Sequence, residues 1–196
     1  MYGKELFFAY IYISVIIGGI INTNTAAGYS IWLIPSEPQF SYLKSTIDII
    51  AKEVNAPTFL PHITLLGQLD QRINHLQNEL TKISQVFTAF DLELDRISTL
   101  DQYFRSIFFN VISSQNLIQL WHHAIVRLQV EKDLYEPHLS LLYSHLNNTE
   151  KERLLKSYKV DLPLSITIDE IVLMKTKGSP EQWQVVDRYP LFAKQN

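Results

Sequence analysis

Two short segments of the chain follow one pattern: aromatic, any residue, Pro, His, aliphatic, hydroxyl, Leu, Leu. They read Phe-Leu-Pro-His-Ile-Thr-Leu-Leu at residues 59–66 and Tyr-Glu-Pro-His-Leu-Ser-Leu-Leu at residues 135–142. The chain contains only six His and eight Pro, so two matches of this length indicate a repeat rather than a coincidence. The pattern therefore predicts a chain of two similar halves, each of which contributes one copy.

Each copy contains a His-x-Thr or His-x-Ser tripeptide. Side chains alternate between the two faces of a β-strand, so residues i and i+2 point to the same side. His62 therefore shares a face with Thr64, and His138 shares a face with Ser140. Two such strands brought together would place two imidazoles and two hydroxyls around one small space. That arrangement combines an acid–base pair with hydrogen-bond donors for an anion.

Apolar periodicity and capping patterns predict the helices. Apolar residues at spacings of three and four predict three amphipathic helices, whose apolar faces begin at Phe40, Leu69 and Leu117. A capping box at Ser36-Glu-Pro-Gln39 predicts the start of the first helix. A second box at Thr149-Glu-Lys-Glu152 predicts the start of a fourth, shorter helix.

Strand patterns fill most of the remaining chain. A strand is predicted at Tyr29–Pro35, and two more lie near 88–98 and 103–112, where Tyr103 and Arg105 would share a face. The order strand, helix, His strand, helix recurs in the second half with additional strands. This mixture predicts an α+β fold of antiparallel sheets with helices on their outer faces.

Charge and composition exclude several function classes. The formal net charge is −3 and no run of Lys or Arg is present, whereas a nucleic-acid backbone is bound by clustered cations. We therefore expect no stable nucleic-acid complex, although a small phosphate ester needs only a few donors. The chain has no cysteine, which excludes thiolate catalysis, zinc–thiolate sites and disulfides.

The histidines do not form a metal-binding motif. His62 and His138 lack a third ligand, and no His-Glu-x-x-His run exists. His122 and His123 are adjacent on a predicted helix, so their side chains diverge by about 100° and cannot chelate one ion. We therefore expect no metal and no cofactor. As a separate expectation, the protein is a monomer.

The N-terminus differs from the rest of the chain, because residues 6–21 are mostly apolar and carry no charge. The segment is short for a spanning helix of ~20 residues and slightly long for a secretory h-region of ~7–15. The small residues Thr25-Ala26-Ala27 resemble a cleavage site. We expect residues 1–27 to be a signal peptide or membrane anchor that precedes a domain of residues 28–196.

The location of the protein depends on that segment. A cleaved signal predicts a secreted or periplasmic protein. An uncleaved segment predicts a membrane-anchored protein with membrane contact through residues 6–21. A buried element of the fold, the remaining alternative, predicts a cytoplasmic protein.

Paired histidines suit hydrolysis of a phosphate ester. The free imidazole has a pKa of ~6.5, so one His can take a proton from water while the other protonates the leaving oxygen. Hydroxyl donors from Thr64 and Ser140 would stabilise the charge that gathers on the non-bridging oxygens. A strained cyclic phosphodiester fits this chemistry, because its leaving oxygen stays tethered.

The paired Pro-His-Ile-Thr-Leu and Pro-His-Leu-Ser-Leu-Leu-Tyr motifs resemble the 2H phosphoesterase superfamily, and within it the plant and yeast type of cyclic nucleotide phosphodiesterase. The likeness runs over about residues 28–192. It includes Tyr29–Pro35, Tyr103–Phe109 and Leu173–Gly178 with Trp183. The resemblance implies a bilobal fold of two pseudo-symmetric lobes around a central cleft, with one His motif on each lobe.

The resemblance also implies an activity and its residues. Members of the family hydrolyse nucleoside 2′,3′-cyclic phosphates and ADP-ribose 1″,2″-cyclic phosphate to monoesters without a metal. By this resemblance His62 and His138 are the catalytic pair, and Thr64 and Ser140 hold the phosphate. The two motifs look alike, so the sequence leaves open which His is the acid.

Three further residues are candidates for substrate binding. Tyr143 directly follows the second motif, and it would either bind the substrate or serve as a sheet-edge residue. Tyr103 and Arg105 would share a face of the strand predicted over 103–112, where Arg105 would add positive charge near the phosphate.

Two other functions remain open at this point. One is RNA-end processing within the same superfamily, which means action on RNA 2′,3′-cyclic ends or on 2′–5′ linkages. The other is a module that binds a cyclic phosphate without cleaving it.

Overall fold

Seven strands and four helices form the part of the chain that the structure describes, residues 25–132, 134–158 and 160–193 of a computed structural model. The strands are β1 (Tyr29–Pro35), β2 (Ile63–Leu69), β3 (Phe90–Thr99), β4 (Ile107–Ile112), β5 (His138–Leu142), β6 (Leu164–Lys175) and β7 (Gln184–Pro190). The helices are α1 (Gln39–Glu53), α2 (Ile73–Ser84), α3 (Gln115–Leu128) and α4 (Asn148–Ser157).

The strands form two antiparallel halves that share β6. One half has the order β2-β1-β6-β7 and the other has the order β5-β4-β3-β6. The first part of β6 pairs with β3 up to Ile168, and the second part pairs with β1 and β7. The halves also meet where β2 pairs with β5 at Ile63 and Leu139. These two lobes confirm the α+β class expected from the sequence.

Alternating and helical apolar patterns build the core between the sheet and the helices. In β3, Phe90, Leu92 and Leu94 are buried, while the acidic residues between them are exposed. Helix α1 buries Leu43, Ile47 and Ile50 on one face, as its spacing predicts. The core fixes the register of β2 and β5, because slipping either strand by one residue would turn its apolar side outwards.

Both predicted capping boxes are wrong in detail. Ser36 continues the sheet, since its N–H donates to the Thr167 carbonyl at 2.8 Å, and α1 begins only at Gln39 without a side-chain cap. Helix α4 begins at Asn148, because the Asn147 side chain accepts from the Glu150 N–H at 3.0 Å. Asparagine is as good an N-cap as serine or threonine, and it precedes the threonine in the chain.

The predicted strand over 103–112 is also wrong at its start, because Tyr103–Arg105 forms a 3₁₀ turn and β4 begins at Ile107. Tyr103 and Arg105 therefore do not share a strand face. The turn is tied to the segment after β5, where Ser144 donates its N–H to the Tyr103 carbonyl at 3.1 Å. The hydroxyls of Ser106 and Ser144 are 2.8 Å apart.

A buried lysine binds the chain shortly before this turn. Lys151 on α4 is only 2% exposed, and its Nζ donates to the Leu100 carbonyl at 2.7 Å. The ammonium group thus holds the start of the segment that leads into the 3₁₀ turn.

The apolar segment 6–21, predicted to be a signal or an anchor, lies outside the described residues. Ala26 pairs with Gly178 through two backbone hydrogen bonds of 2.9 and 3.0 Å, which connects residue 26 to the segment after β6. None of the helices in the described ranges combines the length and apolar character needed to cross a bilayer.

Candidate active site

The pairing of β2 with β5 brings the two His motifs together. Ile63 lies opposite Leu139 in an antiparallel pair, and both side chains are fully buried. Continuing that register by one residue in each direction places His62 across from Ser140 and Thr64 across from His138. All four side chains lie on the other face of the sheet from the buried pair, because strand side chains alternate.

These four residues line a cleft of about 310 Å³ between the two lobes. All seven residues singled out in the sequence contribute to it: His62, Thr64, Tyr103, Arg105, His138, Ser140 and Tyr143. Nine residues that sequence reasoning did not assign to the site complete the lining: Ala26, Ser30, Trp32, Gly67, Gln68, Gln102, Phe104, Thr176 and Trp183.

His62 is held on three sides. Its Nδ1 donates to the Leu60 carbonyl at 2.6 Å. The ring stacks on Trp32, with ring centroids 3.5 Å apart and planes 7° from parallel. The edge of Phe59 packs against it at 6.2 Å. These contacts leave the side chain 5% exposed and fix the orientation of the imidazole.

His138 has the same backbone contact at the equivalent place. Its Nδ1 lies 3.0 Å from the Glu136 carbonyl, and Phe108 packs edge-on at 5.5 Å. A carbonyl oxygen can only accept, so Nδ1 carries the proton in both histidines. In the neutral form Nε2 then holds the lone pair, which makes Nε2 the basic nitrogen of each ring.

Burial sets the protonation state of both rings. Removal from water lowers the pKa of His62 to about 3, with a further decrease from the charge of His138 and a partial opposing effect of the Leu60 hydrogen bond. Burial likewise lowers the pKa of His138, aided by the nearby Arg105 and opposed by Glu136. Both imidazoles are therefore neutral bases at pH 7 in the free cleft.

The two hydroxyls differ in their hydrogen bonding. Ser140 donates its only proton to the Phe104 carbonyl at 2.8 Å, which ties β5 to the 3₁₀ turn. The Thr64 hydroxyl makes no hydrogen bond to another residue of the described chain. Thr64 is thus ready to donate to an anion, whereas Ser140 must first release the Phe104 carbonyl.

Arg105 lies at the edge of the cleft beside His138. Its guanidinium lies 4.7 Å from the centre of the Phe108 ring and donates to the Glu136 carboxylate at 3.0 Å. Glu136 therefore contacts the site twice, through its carboxylate to Arg105 and through its carbonyl to His138. This ion pair with Glu136 offsets part of the positive charge that Arg105 was predicted to bring near a bound phosphate.

Several aromatic rings line the cleft and pack against one another. Tyr143 is 4% exposed and stacks on Phe59 at 3.8 Å, so it is a buried cleft residue rather than a sheet-edge tyrosine. Burial raises its pKa. Phe104 packs at 5.3 Å from Tyr143 and 5.8 Å from Trp183.

Part of the additional lining was visible in the sequence. Ser30 and Trp32 alternate on β1, so their shared face follows from the predicted strand, although no motif marks that face as part of the site. Trp32 is 2% exposed and supports His62, so it belongs both to the core and to the site. Thr176 lies directly after β6, and its hydroxyl is 3.2 Å from that of Ser30. No sequence motif marks Thr176, because its place follows from the pairing of β1 with β6.

The other histidines lie outside this cleft. His122 is exposed on α3, and His123 packs edge-on against Phe87 at 5.5 Å. Within residues 25–132, 134–158 and 160–193, no three His, Cys, Asp or Glu side chains are grouped to hold a metal ion.

The depressed pKa of His62 predicts acid sensitivity of the fold. At pH values between 6.5, the ordinary pKa, and about 3, the folded value, His62 is protonated in the unfolded chain but neutral in the folded one. Stability therefore falls as pH falls through this window, by about 2 kcal/mol between pH 6.5 and 5. We expect urea unfolding at pH 7 and pH 5 to show a smaller acid loss in His62→Gln than in the wild type.

The control for this measurement is His75→Gln, which changes an exposed histidine of α2. It should lose as much stability on acidification as the wild type. If all three proteins lose the same free energy of unfolding between pH 7 and pH 5, His62 is protonated in the folded chain as readily as in the unfolded one.

Known proteins resemble this chain over most of its length. The family model of the 2′-5′ RNA ligase superfamily matches residues 53–180, a range that contains both His motifs. A cyclic phosphodiesterase of Arabidopsis thaliana is 25% identical over 166 residues, covering 81% of this chain and 92% of that protein.

Solved structures share the fold at low sequence identity. TT0787 of Thermus thermophilus gives a TM-score of 0.62 at 10% identity, covering 86% of this chain and 100% of that one. E. coli LigT complexed with 3′-AMP gives 0.54 at 13% identity, covering 84% and 98%. Since the family match spans more than half of the sequence, the chain belongs to the 2′-5′ RNA ligase superfamily, the 2H phosphoesterases.

Proposed function

We propose that the protein hydrolyses small cyclic phosphodiesters to phosphomonoesters without a metal ion. Nucleoside 2′,3′-cyclic phosphates and ADP-ribose 1″,2″-cyclic phosphate are the substrates we infer. The likeness to a cyclic phosphodiesterase of Arabidopsis thaliana supports this choice within the superfamily.

One observation carries the proposal: the two histidines are bound to the backbone in the same way. Each Nδ1 donates to the carbonyl two residues earlier, Leu60 for His62 and Glu136 for His138. Each ring therefore presents Nε2 as its basic nitrogen, and the two rings come from adjacent strands. A symmetric pair of this kind suits proton transfer at both ends of a displacement at phosphorus.

The reaction balances with these two groups alone. One Nε2 removes a proton from water as its oxygen forms a bond to phosphorus. The bond from phosphorus to one ring oxygen breaks, and the other imidazolium delivers a proton to that oxygen. The product is a monoester that keeps the second ester bond, and the proton has moved from one histidine to the other.

The acid needs a proton that the free cleft does not hold, because burial keeps both imidazoles neutral. An anionic phosphodiester between the rings favours the charged form and raises the pKa of a neighbouring imidazole. We infer that substrate binding takes up one proton and so creates the acid. The Thr64 hydroxyl, which lines the same cleft, would donate to a non-bridging oxygen of that group.

Action on RNA ends is the second candidate, and the name of the matching superfamily favours it. The charge of the cleft favours a small substrate instead. Arg105 is the only Lys or Arg among the described residues that line the cleft, and it is paired with Glu136. A long polyanion needs more cations than this.

The test is phosphorus NMR of the purified protein in EDTA. We expect 2′,3′-cyclic AMP and ADP-ribose 1″,2″-cyclic phosphate to be converted to monoester signals, whose shifts identify the bond that opens. An oligonucleotide with a 2′,3′-cyclic end is the comparison, and it should react more slowly. Faster turnover of the oligonucleotide would establish action on RNA ends, and tight binding without turnover would establish a binding module.

A further inference from the structure

Gln68 has a backbone conformation that its place in a strand does not explain. Three non-glycine residues of the described chain have positive φ: Asn55 at 52°, Gln68 at 59° and Gln129 at 51°. Asn55 and Gln129 lie just after α1 and α3, where a left-handed residue commonly ends a helix. Gln68 lies inside β2, where the left-handed conformation is unfavourable for a residue with a Cβ.

The register of β1 and β2 shows what the conformation does. Tyr29 lies opposite Leu69 and Ile31 lies opposite Leu66, so β2 has one extra residue between these two pairs. An extra residue of this kind is a β-bulge, which redirects a side chain away from the ordinary alternation. The bulge therefore decides where the Gln68 side chain lies.

The redirected side chain lies in the cleft. Gln68 is exposed, and it lines the cleft together with Gly67 and the Thr64 of the first His motif. Its amide makes no hydrogen bond to any residue within the described ranges. The unfavourable backbone conformation of Gln68 thus keeps its amide, which can both donate and accept, in the cleft. No described residue hydrogen-bonds to that amide.

We propose that Gln68 binds the nucleoside part of the substrate through a hydrogen bond to a base edge or a ribose hydroxyl. This inference rests on the proposed function and adds a specificity residue to it. A neutral amide pairs best with neutral groups that both donate and accept, which the nucleoside offers and the phosphate does not. Under the proposed function, the phosphate binds elsewhere in the cleft, between the two histidines and Thr64.

The first test is the kinetics of Gln68→Leu, which removes the amide and keeps a similar volume. We expect KM for 2′,3′-cyclic AMP to rise about 3- to 10-fold with kcat unchanged, the loss of one hydrogen bond in binding. The 2′,3′-cyclic phosphate of a methyl riboside distinguishes the two partners. If Gln68→Leu leaves KM for this base-free substrate unchanged, Gln68 binds the base. If KM rises as much as it does for 2′,3′-cyclic AMP, Gln68 binds the ribose.

A matched pair of glycine variants separates binding from backbone effects. Gln68→Gly and Gln129→Gly each replace a positive-φ glutamine by the residue that adopts this conformation without strain. Both should keep a Tm no lower than that of the wild type, and only Gln68→Gly should raise KM. Equal effects of the two variants on KM, or no effect of Gln68→Leu on either substrate, would overturn the inference.

Calorimetry with adenosine 3′-monophosphate distinguishes this inference from the proposed function. If the wild type turns over no cyclic phosphate but binds the nucleotide, a 3- to 10-fold loss of affinity in Gln68→Leu still supports the role of Gln68. If turnover proceeds and neither affinity nor KM changes, the proposed function stands and the role of Gln68 is lost.

Discussion

Replacing either histidine of the cleft by alanine is expected to reduce kcat for 2′,3′-cyclic AMP by about 10²- to 10⁴-fold. His62 and His138 would each supply one of the two proton transfers, so losing one stops the transfer at one end of the displacement. The double variant should be about as inactive as either single variant, because the two groups act as a unit. Phosphorus NMR rates for the three variants measure this directly.

The matched control is His122→Ala, which removes an exposed imidazole on α3 and should leave kcat unchanged. His62 is buried, so His62→Gln is measured beside His62→Ala to keep more of the side-chain volume. Thermal unfolding of each variant establishes that the fold is retained. A folded variant of either cleft histidine with kcat within about tenfold of the wild type would contradict the acid–base mechanism.

Trp32→Ala is expected to have the largest effect on stability, a loss of about 3–5 kcal/mol in the free energy of unfolding. The side chain is 2% exposed, stacks on His62 and packs edge-on against Trp183 at 5.7 Å. Its removal also admits water to His62, whose pKa is low because of burial. The pKa of His62 should therefore rise towards 6.5, its ordinary value.

Urea unfolding measures the first effect, and proton NMR titration of the imidazole signals measures the second. Trp32→Phe is the matched variant, since it keeps an aromatic ring over His62 and should lose less stability and shift the pKa less. If Trp32→Ala leaves the His62 titration unchanged, another element excludes water from that ring. The ring stacking would then be only a packing contact.

Much of the fold followed from local patterns. The alternation in β3 and the helical spacing in α1 identified which faces are buried, because burial of apolar surface dominates the choice of face. Helix starts were less predictable. Asn147 caps α4 in place of the threonine two residues later, and Ser36 remains bonded to β6, a partner more than a hundred residues away.

The same distinction between local patterns and long-range pairing applies to the residues that line the cleft. The repeated motifs identified His62, Thr64, His138 and Ser140, because strand alternation is a local rule. The role of Trp32 beside His62 and the conformation of Gln68 depend on the register of β1 with β2. Register is set by long-range pairing, and one sequence gives no direct signal for it.

Strand β6 has a mechanical consequence for the cleft. Ile168 pairs with Pro35 of β1 on one side and with Phe90 of β3 on the other, so the continuous strand β6 belongs to both lobes. Hinge motion requires a few backbone torsions that are free to change, and ladder hydrogen bonds restrain those of β6 on both sides. The distance between the two histidines is thus set by the sheet, and we expect a substrate to fit a cleft of preset width rather than to induce closure around itself.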